Sequence, residues 1–594
     1  MDILLMKKIF ILLLIITNIS FAFENCLKIF KKEKYLQAEQ CFSQINQADP
    51  LYPYALYYLL RTRAYAEKDY SDLLPEIEKF KDTAVYSYFY LYLASINRFK
   101  NPELALEYWT KIDKEALFKD DIPFYYYLRY EIGRELNLDT TQIIKQITLN
   151  YSYNRYYGYP VIFENIEKLS SDEIFKIIDK LAAKRMYTKG IYLLPYLDNS
   201  QKKYFYSALL YMKKRNYHKA EHFISMLEDK YKASAIYSYI YFQRKMSDKK
   251  RYFKELLQLN DKNLIHKAAN YLMKKSFYLQ NYSDFFYYSR FIPENSTYYS
   301  NRIWFMFLYK YINNKKLQAA NLLEKNINLF SEKPKIYYWL YLSYKDINRA
   351  KAYKYLKKAA SIQKMDFYVI RAREKLNLPL FKEKTVLVKS HKSKTLNMIS
   401  KLKQIDYKAA YIEARYYMKK QGVEFIVDVF PELAARKFAS KKYLVRYSYP
   451  KPFTQYTKDN FVYAIMRQES FFDPYVISFA NAVGLMQIIP PTARWIAQQK
   501  KDKNFDVVQL FEPSKNIEYG IWYIKYLDRI FEGNIFYIAG GYNGGDGTVR
   551  RTLKRYKIKN IEEFVELLPY RETRYYVKYV YRHFKAYETL YRNN

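Results

Sequence analysis

Tyr217-His218-Lys219-Ala220-Glu221-His222-Phe223 places a small Ala three residues after one aromatic and three before another. The same arrangement returns at Tyr35…Ala38…Phe42 and Leu317…Ala320…Leu323, and more loosely at Asn101-Pro102…Ala105…Trp109. On a helix, residues three and four apart share a face, so the Ala marks a close approach of a neighbouring helix and the bulky residue fills the groove beside it. From Asn25 to about Arg371 the chain reads as helix after helix in this manner.

Composition agrees with that reading. Among 594 residues there are only 12 Gly and 18 Pro, and scarcity of both helix breakers over such a length predicts a mainly α protein. Half the residues are hydrophobic and a fifth aromatic, which excludes a disordered chain. The length calls for two or three domains. The Ala-centred repeats resemble tetratricopeptide-type hairpins with irregular spacing, which implies a superhelical stack of α-helical hairpins.

Lys7 and Lys8 precede an apolar run from Ile9 to Ile16, and Ser20 and Ala22 come next at A-x-A spacing. This is the layout of a signal peptide over residues 1–22, cleaved after Ala22 and delivering the protein to the periplasm. An uncleaved anchor is the alternative, but the run falls short of the roughly 20 residues a spanning helix needs, so no stable membrane insertion is expected. Phe23-Glu24-Asn25 before Cys26 does not suit lipoprotein processing. Cys26 and Cys41 flank the polar turn Lys31-Lys32-Glu33-Lys34 between two helical patterns, and in an exported protein they suggest a disulfide, two independent buried thiols being the alternative.

The formal net charge of +40 would ordinarily point to nucleic acid. Export argues against that partner, and an anionic wall or membrane surface fits better. Lys, Tyr, Ile and Asn are abundant throughout, as codon bias produces, so charge alone says little about the partner.

Domain limits are predicted at 23–381 for the superhelical array, 382–447 for a helical linker domain, and 448–594 for a C-terminal domain. Tyr447-Ser448-Tyr449-Pro450-Lys451-Pro452 interrupts the helices with two prolines, and eight of the 12 glycines lie beyond it. Loops needing unusual backbone angles, which commonly carry function, are therefore concentrated at this end.

There Asp459-Asn460 precedes a helical pattern in which Val462, Ile465, Met466 and Glu469 share one face. An apolar face and a helix C-terminus both raise a carboxyl pKa, as a general acid near neutral pH requires. Taken alone, such a Glu is more often a boundary residue. Its surroundings decide otherwise: Arg467-Gln468-Glu469-Ser470-x-x-Asp473-Pro474, Ser478, Gly484-Leu485-Met486-Gln487, Pro490-x-Thr492-Ala493, Leu510-Phe511-Glu512-Pro513…Asn516-Ile517…Gly520, Gly541-Tyr542-Asn543-Gly544-Gly545 and Glu572-Thr573-Arg574-Tyr575-Tyr576-Val577.

The order and spacing of these blocks resemble the lysozyme-like, α-rich catalytic domain of soluble lytic murein transglycosylases, and the N-terminal helices resemble the ring-like superhelical domain of the same enzymes. The resemblance implies Glu469 as acid/base, Ser478, Gln487, Tyr542 and Asn543 lining a sugar cleft, and Glu572 and Tyr576 beside it. It also implies the reaction: cleavage of the bond between N-acetylmuramic acid and N-acetylglucosamine in peptidoglycan glycan strands, leaving 1,6-anhydro ends, with no metal or organic cofactor. Two positions depart from the family pattern. Asn481 stands where Gly is usual, although Asn tolerates positive φ, and Ile489 replaces a common Met.

A hydrolytic muramidase of the same fold and a non-catalytic periplasmic scaffold are the alternatives. Nothing in the sequence names a protein partner. His218-Lys219-Ala220-Glu221-His222 fits an H-x-x-E-H zinc pattern, but it lies in a hairpin repeat without a third ligand. The glycines of 540–547 lack the Lys-Ser/Thr of a phosphate-binding loop.

Overall fold

The computed structural model describes residues 22–154 and 156–592, which form α- and 3-10 helices with no extended strand among the described residues. Three isolated β-bridges occur there: parallel Glu383–Leu444, and antiparallel Ile477–Val483 and Val483–Ile488. Residues 1–21 of the expected signal segment lie outside the described residues, and Ala22 and Phe23, which flank the expected cleavage point, lie within them.

The repeated Ala is the pivot of each hairpin: Ala38, Ala105, Ala220 and Ala320 are all 0% exposed. Its bulky partner is Phe42 and Leu323 as expected, but Tyr108 instead of Trp109 and Ile224 instead of Phe223 at the other two copies. Positions three and four beyond the Ala share its face, so either residue of each pair satisfies the helical spacing, and burial picks out Tyr108 and Ile224.

The turns explain how a chain so poor in glycine makes so many hairpins. Glu33, Arg215, Gln280 and Asn314 adopt left-handed φ of 59°, 63°, 59° and 60° between consecutive helices. After the last three, the next residue's N–H reaches back to the preceding helix, from Asn216 to Tyr211, Asn281 to Ser276 and Lys315 to Lys310, each at 2.9 Å. This is the usual glycine-bearing helix stop, built here with other residues at a cost of roughly 1–2 kcal/mol each. Asn216 and Asn281 then cap the next helix, accepting from Lys219 N and Asp284 N.

The chain divides into two compact units, the described part of Met1–Lys184 with Leu387–Ala434, and Arg185–Val386 with Ala435–Asn594. Buried carboxylates tie distant segments together within each unit. In the first unit, Glu413 of helix Tyr407–Gln421 is 0% exposed and accepts from Ala84 N, Val85 N and Tyr54 OH at 2.9, 3.0 and 2.9 Å. It thus caps the helix Ala84–Asn97 from more than 300 residues away in sequence. Cys26 and Cys41 of the same unit are joined by a disulfide, with Cα atoms 5.4 Å apart.

In the second unit, the short helix Ile561–Leu567 buries Glu562 and Glu566 against the helices Lys333–Tyr344 and Phe367–Lys375. Glu562 accepts from Arg371 Nε at 2.9 Å and Tyr338 OH at 3.0 Å. The C-terminal region is therefore fastened by charge to the preceding helices.

Candidate functional site

Five helices build the site: α1 (Asn460–Glu469), α2 (Pro490–Lys500), α3 (Pro513–Phe531), α4 (Ile535–Gly544) and α5 (Arg571–Leu590). Asp459 starts α1 by accepting from Phe461 N at 2.7 Å. Val462, Ile465 and Met466 are almost fully buried, and α1 packs along α5. Glu469 is the last residue of α1, half-buried.

Past Glu469 the backbone takes an unusual course. Phe471 and Phe472 both adopt left-handed φ, 55° and 67°, a conformation costing about 1–3 kcal/mol for each such residue. Packing holds them there. Arg467, 5% exposed, stacks its guanidinium 4.2 Å from the Phe471 ring and 4.2 Å from that of Tyr449, and donates to Ser448 O at 2.9 Å and Ser448 Oγ at 2.6 Å. Ser470 Oγ donates to Leu485 O at 2.7 Å, tying the end of α1 to the Gly484–Gln487 loop.

That loop is held by one side chain. Asn516 of α3, 0% exposed, accepts from Met486 N at 2.8 Å and donates to Val483 O and Leu510 O at 2.9 and 2.7 Å. Gly484 has φ +78°, and a Cβ there would lie 2.3 Å from Asn516 Nδ2 and 2.4 Å from Leu510 O. Only glycine fits such a place.

The remaining expected residues gather around this frame. Tyr542 of α4 donates its hydroxyl to Met486 O at 2.8 Å, and Asn543 accepts from Thr573 Oγ1 of α5 at 2.8 Å. Gln487, with φ 48°, donates its amide to Val476 O and Gly484 O at 3.0 and 2.9 Å. Ser478 Oγ accepts from Ala480 N and Ala482 N at 3.2 and 3.0 Å. Ser478 and Gln487 thus shape the loop beside Glu469. Asn481 adopts φ 60°, so the turn survives without the usual Gly.

Burial pushes the Glu469 carboxyl up to about 8, Tyr576 pulls it part of the way back, and Glu572 adds to the rise. Tyr576 is 5% exposed, and its hydroxyl has no partner at full hydrogen-bond geometry among the described residues, though it lies near enough to act on Glu469. Glu572 is exposed. The site therefore contains one carboxyl kept protonated near neutral pH, two tyrosines whose hydroxyls feel its charge, and a solvated second carboxylate.

The sequence motifs alone assign no role to Asn516, Arg467 or Ser470, although each stands in a quoted block; an Asn three residues after a helix-starting Pro is the one signal available. Beyond Tyr542 the aromatic surface continues: Tyr523 lies 5.4 Å from Tyr542, Tyr526 5.9 Å from Tyr523, and Trp495 5.0 Å from Tyr526. The His218–His222 pattern makes no centre. Glu221 is occupied by Tyr239 OH at 2.6 Å and Arg251 at 3.0 Å, and no group of metal-ligating side chains occurs among the described residues.

Comparison with known proteins places this arrangement. Residues 454–565 match the family described as Transglycosylase SLT domain, and the chain carries that domain as its C-terminal part. Among curated relatives, the soluble lytic murein transglycosylase of Salmonella typhimurium is 37% identical over 150 residues, 23% of this chain and 23% of its own. That of Escherichia coli K12 is 36% identical over 152 residues, 24% of this chain and 23% of its own. The aligned stretch thus spans about a quarter of these relatives.

The fold similarity reaches further. The 70 kDa soluble lytic transglycosylase of Escherichia coli matches with a TM-score of 0.62 at 16% identity, covering 97% of each chain. The lytic transglycosylase Slt of Pseudomonas aeruginosa, solved as an inactive mutant, matches at 0.54 and 17% identity, covering 94% of this chain and 97% of its own. The resemblance drawn from the motifs holds at the level of fold: the described residues share the fold of these soluble lytic transglycosylases, superhelical helices and then a lysozyme-like domain.

Proposed function

We propose that this protein is a peptidoglycan lytic transglycosylase, a carbon–oxygen lyase of the bacterial cell wall, with Glu469 as its acid and base. The observation that carries the reading is the Glu469 carboxyl, pushed up to about 8 by burial at the end of α1, beside the Gly484–Gln487 loop and two tyrosines. A carboxylic acid that stays protonated at neutral pH is the group a glycosidic oxygen needs as it leaves.

In this scheme protonated Glu469 gives its proton to the oxygen joining N-acetylmuramic acid to N-acetylglucosamine. The C1–O bond breaks, and positive charge builds on the muramic acid ring. The Glu469 carboxylate then takes the proton of that sugar's C6 hydroxyl, and O6 closes on C1 to form the 1,6-anhydro ring. Glu469 ends protonated as it began, and no water, metal or organic cofactor enters. One carboxyl suffices, which accords with Glu572 lying exposed instead of buried opposite Glu469.

Ser478, Gln487, Asn543 and Tyr542 serve as walls of the glycan cleft, with Tyr576 and Glu572 setting the proton affinity of Glu469. The substrate lies in the periplasm, and the Lys7–Ala22 pattern supports export with cleavage after Ala22. No helix among the described residues is long and apolar enough to cross a membrane. The test is turnover of purified peptidoglycan by the protein and by Glu469→Gln. Release of soluble fragments is expected from the former and a loss of about 10²–10⁴-fold in the latter; equal rates would remove Glu469 from the chemistry.

A further inference from the structure

A second concave site lies along the flank of α5 that carries Arg571, Arg574, Tyr575 and Lys578, next to the flank carrying Glu572 and Tyr576. It is a cavity of about 320 Å³ between α5 and the helices Lys262–Tyr278, Tyr299–Ile312 and Lys333–Tyr344. Five cations line it, Lys274, Lys335, Arg571, Arg574 and Lys578, against two carboxylates, Glu332 and Glu566.

Both carboxylates are already engaged. Glu566, 3% exposed, holds Lys335 at 3.1 Å, pairs with Lys578, and accepts from Tyr368 OH at 2.6 Å. Burial alone would raise its pKa, but Lys335, Lys578 and Arg574 outweigh burial and hold it well below the carboxylate range. Glu332 accepts from Tyr575 OH at 3.0 Å. Arg574 spends donors on Tyr278 OH and Leu568 O. Lys274 and Arg571 have no carboxylate within ion-pair distance among the described residues. Burial, then Arg574 and Arg571, push the Lys274 ammonium down to about 8.

The start of α5 adds to this positive field. Arg571 opens a 20-residue helix whose N-cap residue, Tyr570, supplies no side-chain hydrogen bond and whose first turn carries one acid, the exposed Glu572, so the first N–H groups lack a side-chain cap. Charges gathered this way in a partly enclosed space repel one another, and an anion bridging them removes the repulsion while gaining charge-assisted hydrogen bonds.

We propose that this cavity binds a small oxyanion, a carboxylate or phosphate group, held between Lys274 and Arg571 and joining α5 to the helices before it. If the protein acts on peptidoglycan as proposed, carboxylates of peptides attached to the glycan are one source, and free phosphate is the other. Binding itself does not depend on that function.

Titration calorimetry of the full chain with inorganic phosphate, and separately with acetate, at ionic strength fixed by chloride, tests the site without any activity measurement. Saturable binding of one anion per chain is expected. Lys274→Met and Arg571→Gln should each weaken it on the order of tenfold, with Arg571→Lys retaining most of the affinity. Both residues reach the surface, so these variants are expected to fold, and circular dichroism checks that they do. Preference for phosphate assigns that source, and comparable binding of acetate assigns carboxylates. Absence of saturable binding for both anions, or affinities unchanged in Lys274→Met and Arg571→Gln, overturns the proposal.

Discussion

The rings of Tyr542 and Tyr576 stand parallel, with centroids 6.5 Å apart and planes 2° from parallel, and the charge of Glu469 acts on both hydroxyls. Tyr542 is committed to Met486 O at 2.8 Å, whereas the Tyr576 hydroxyl has no such partner among the described residues. Tyr576 is therefore the one of the pair able to respond to the protonation state of Glu469.

Removing either neighbour of Glu469 should move its titration, in opposite senses. Tyr576 lowers the Glu469 pKa and Glu572 raises it. If protonated Glu469 is the acid, cleavage declines as pH rises through about 8. The alkaline limb of the pH–rate profile should shift upward in Tyr576→Phe and downward in Glu572→Gln. Shifts in the same direction would show that these groups do not set the proton affinity of Glu469.

The same burial predicts a stability effect. Between the ordinary value of 4.5 and the folded value of about 8, the native state keeps a proton that the unfolded chain has lost. The contribution of Glu469 to stability is thus fully present below 4.5 and is lost as pH rises through 8. Glu469→Gln, neutral at every pH, should match the parent protein in acid and exceed it at pH near 9 by on the order of a few kcal/mol. Denaturant unfolding at the two pH values measures this; a difference that does not grow with pH contradicts it.

Asn516→Ala removes the acceptor of Met486 N and the donor to Val483 O and Leu510 O at a fully buried position. Leaving those groups unpaired costs about 1–3 kcal/mol each when nothing relaxes. A loss of roughly 2–4 kcal/mol in unfolding free energy is expected, together with weaker cleavage, because the Gly484–Gln487 loop frames the site. Full stability in this variant would mean that the loop is held by other contacts.

Much of the fold and the site is legible in the sequence, and the exceptions share a cause. The repeated Ala at 38, 105, 220 and 320, the Asp459 cap and the blocks around Glu469 are local patterns, which a sequence displays directly. The roles of Glu413, Glu562 and Glu566 are not legible there. In sequence each is a charged residue on a helix, and only the fold reveals that a distant partner buries it: Ala84, Arg371 and Lys335 respectively.

The disulfide gives a prediction confined to the first unit. Cys26 and Cys41 are 15 residues apart, and closing a loop of that length restricts the unfolded chain by about 3 kcal/mol. Replacing both with Ser should lower the unfolding midpoint while leaving the cleavage rate unchanged, since Glu469 belongs to the other unit. Thiols that alkylate in the native exported protein without reductant would contradict the bridge.

Glycan cleavage by Glu469 is tested most directly by mass spectrometry of the fragments released from purified glycan strands. The predicted products carry muramic acid ends in the 1,6-anhydro form, lighter by one water than reducing ends, and these products disappear when Glu469→Gln replaces the parent protein. Reducing ends from the parent protein would make it a hydrolytic muramidase, and undiminished anhydro ends from Glu469→Gln would take the reaction away from Glu469.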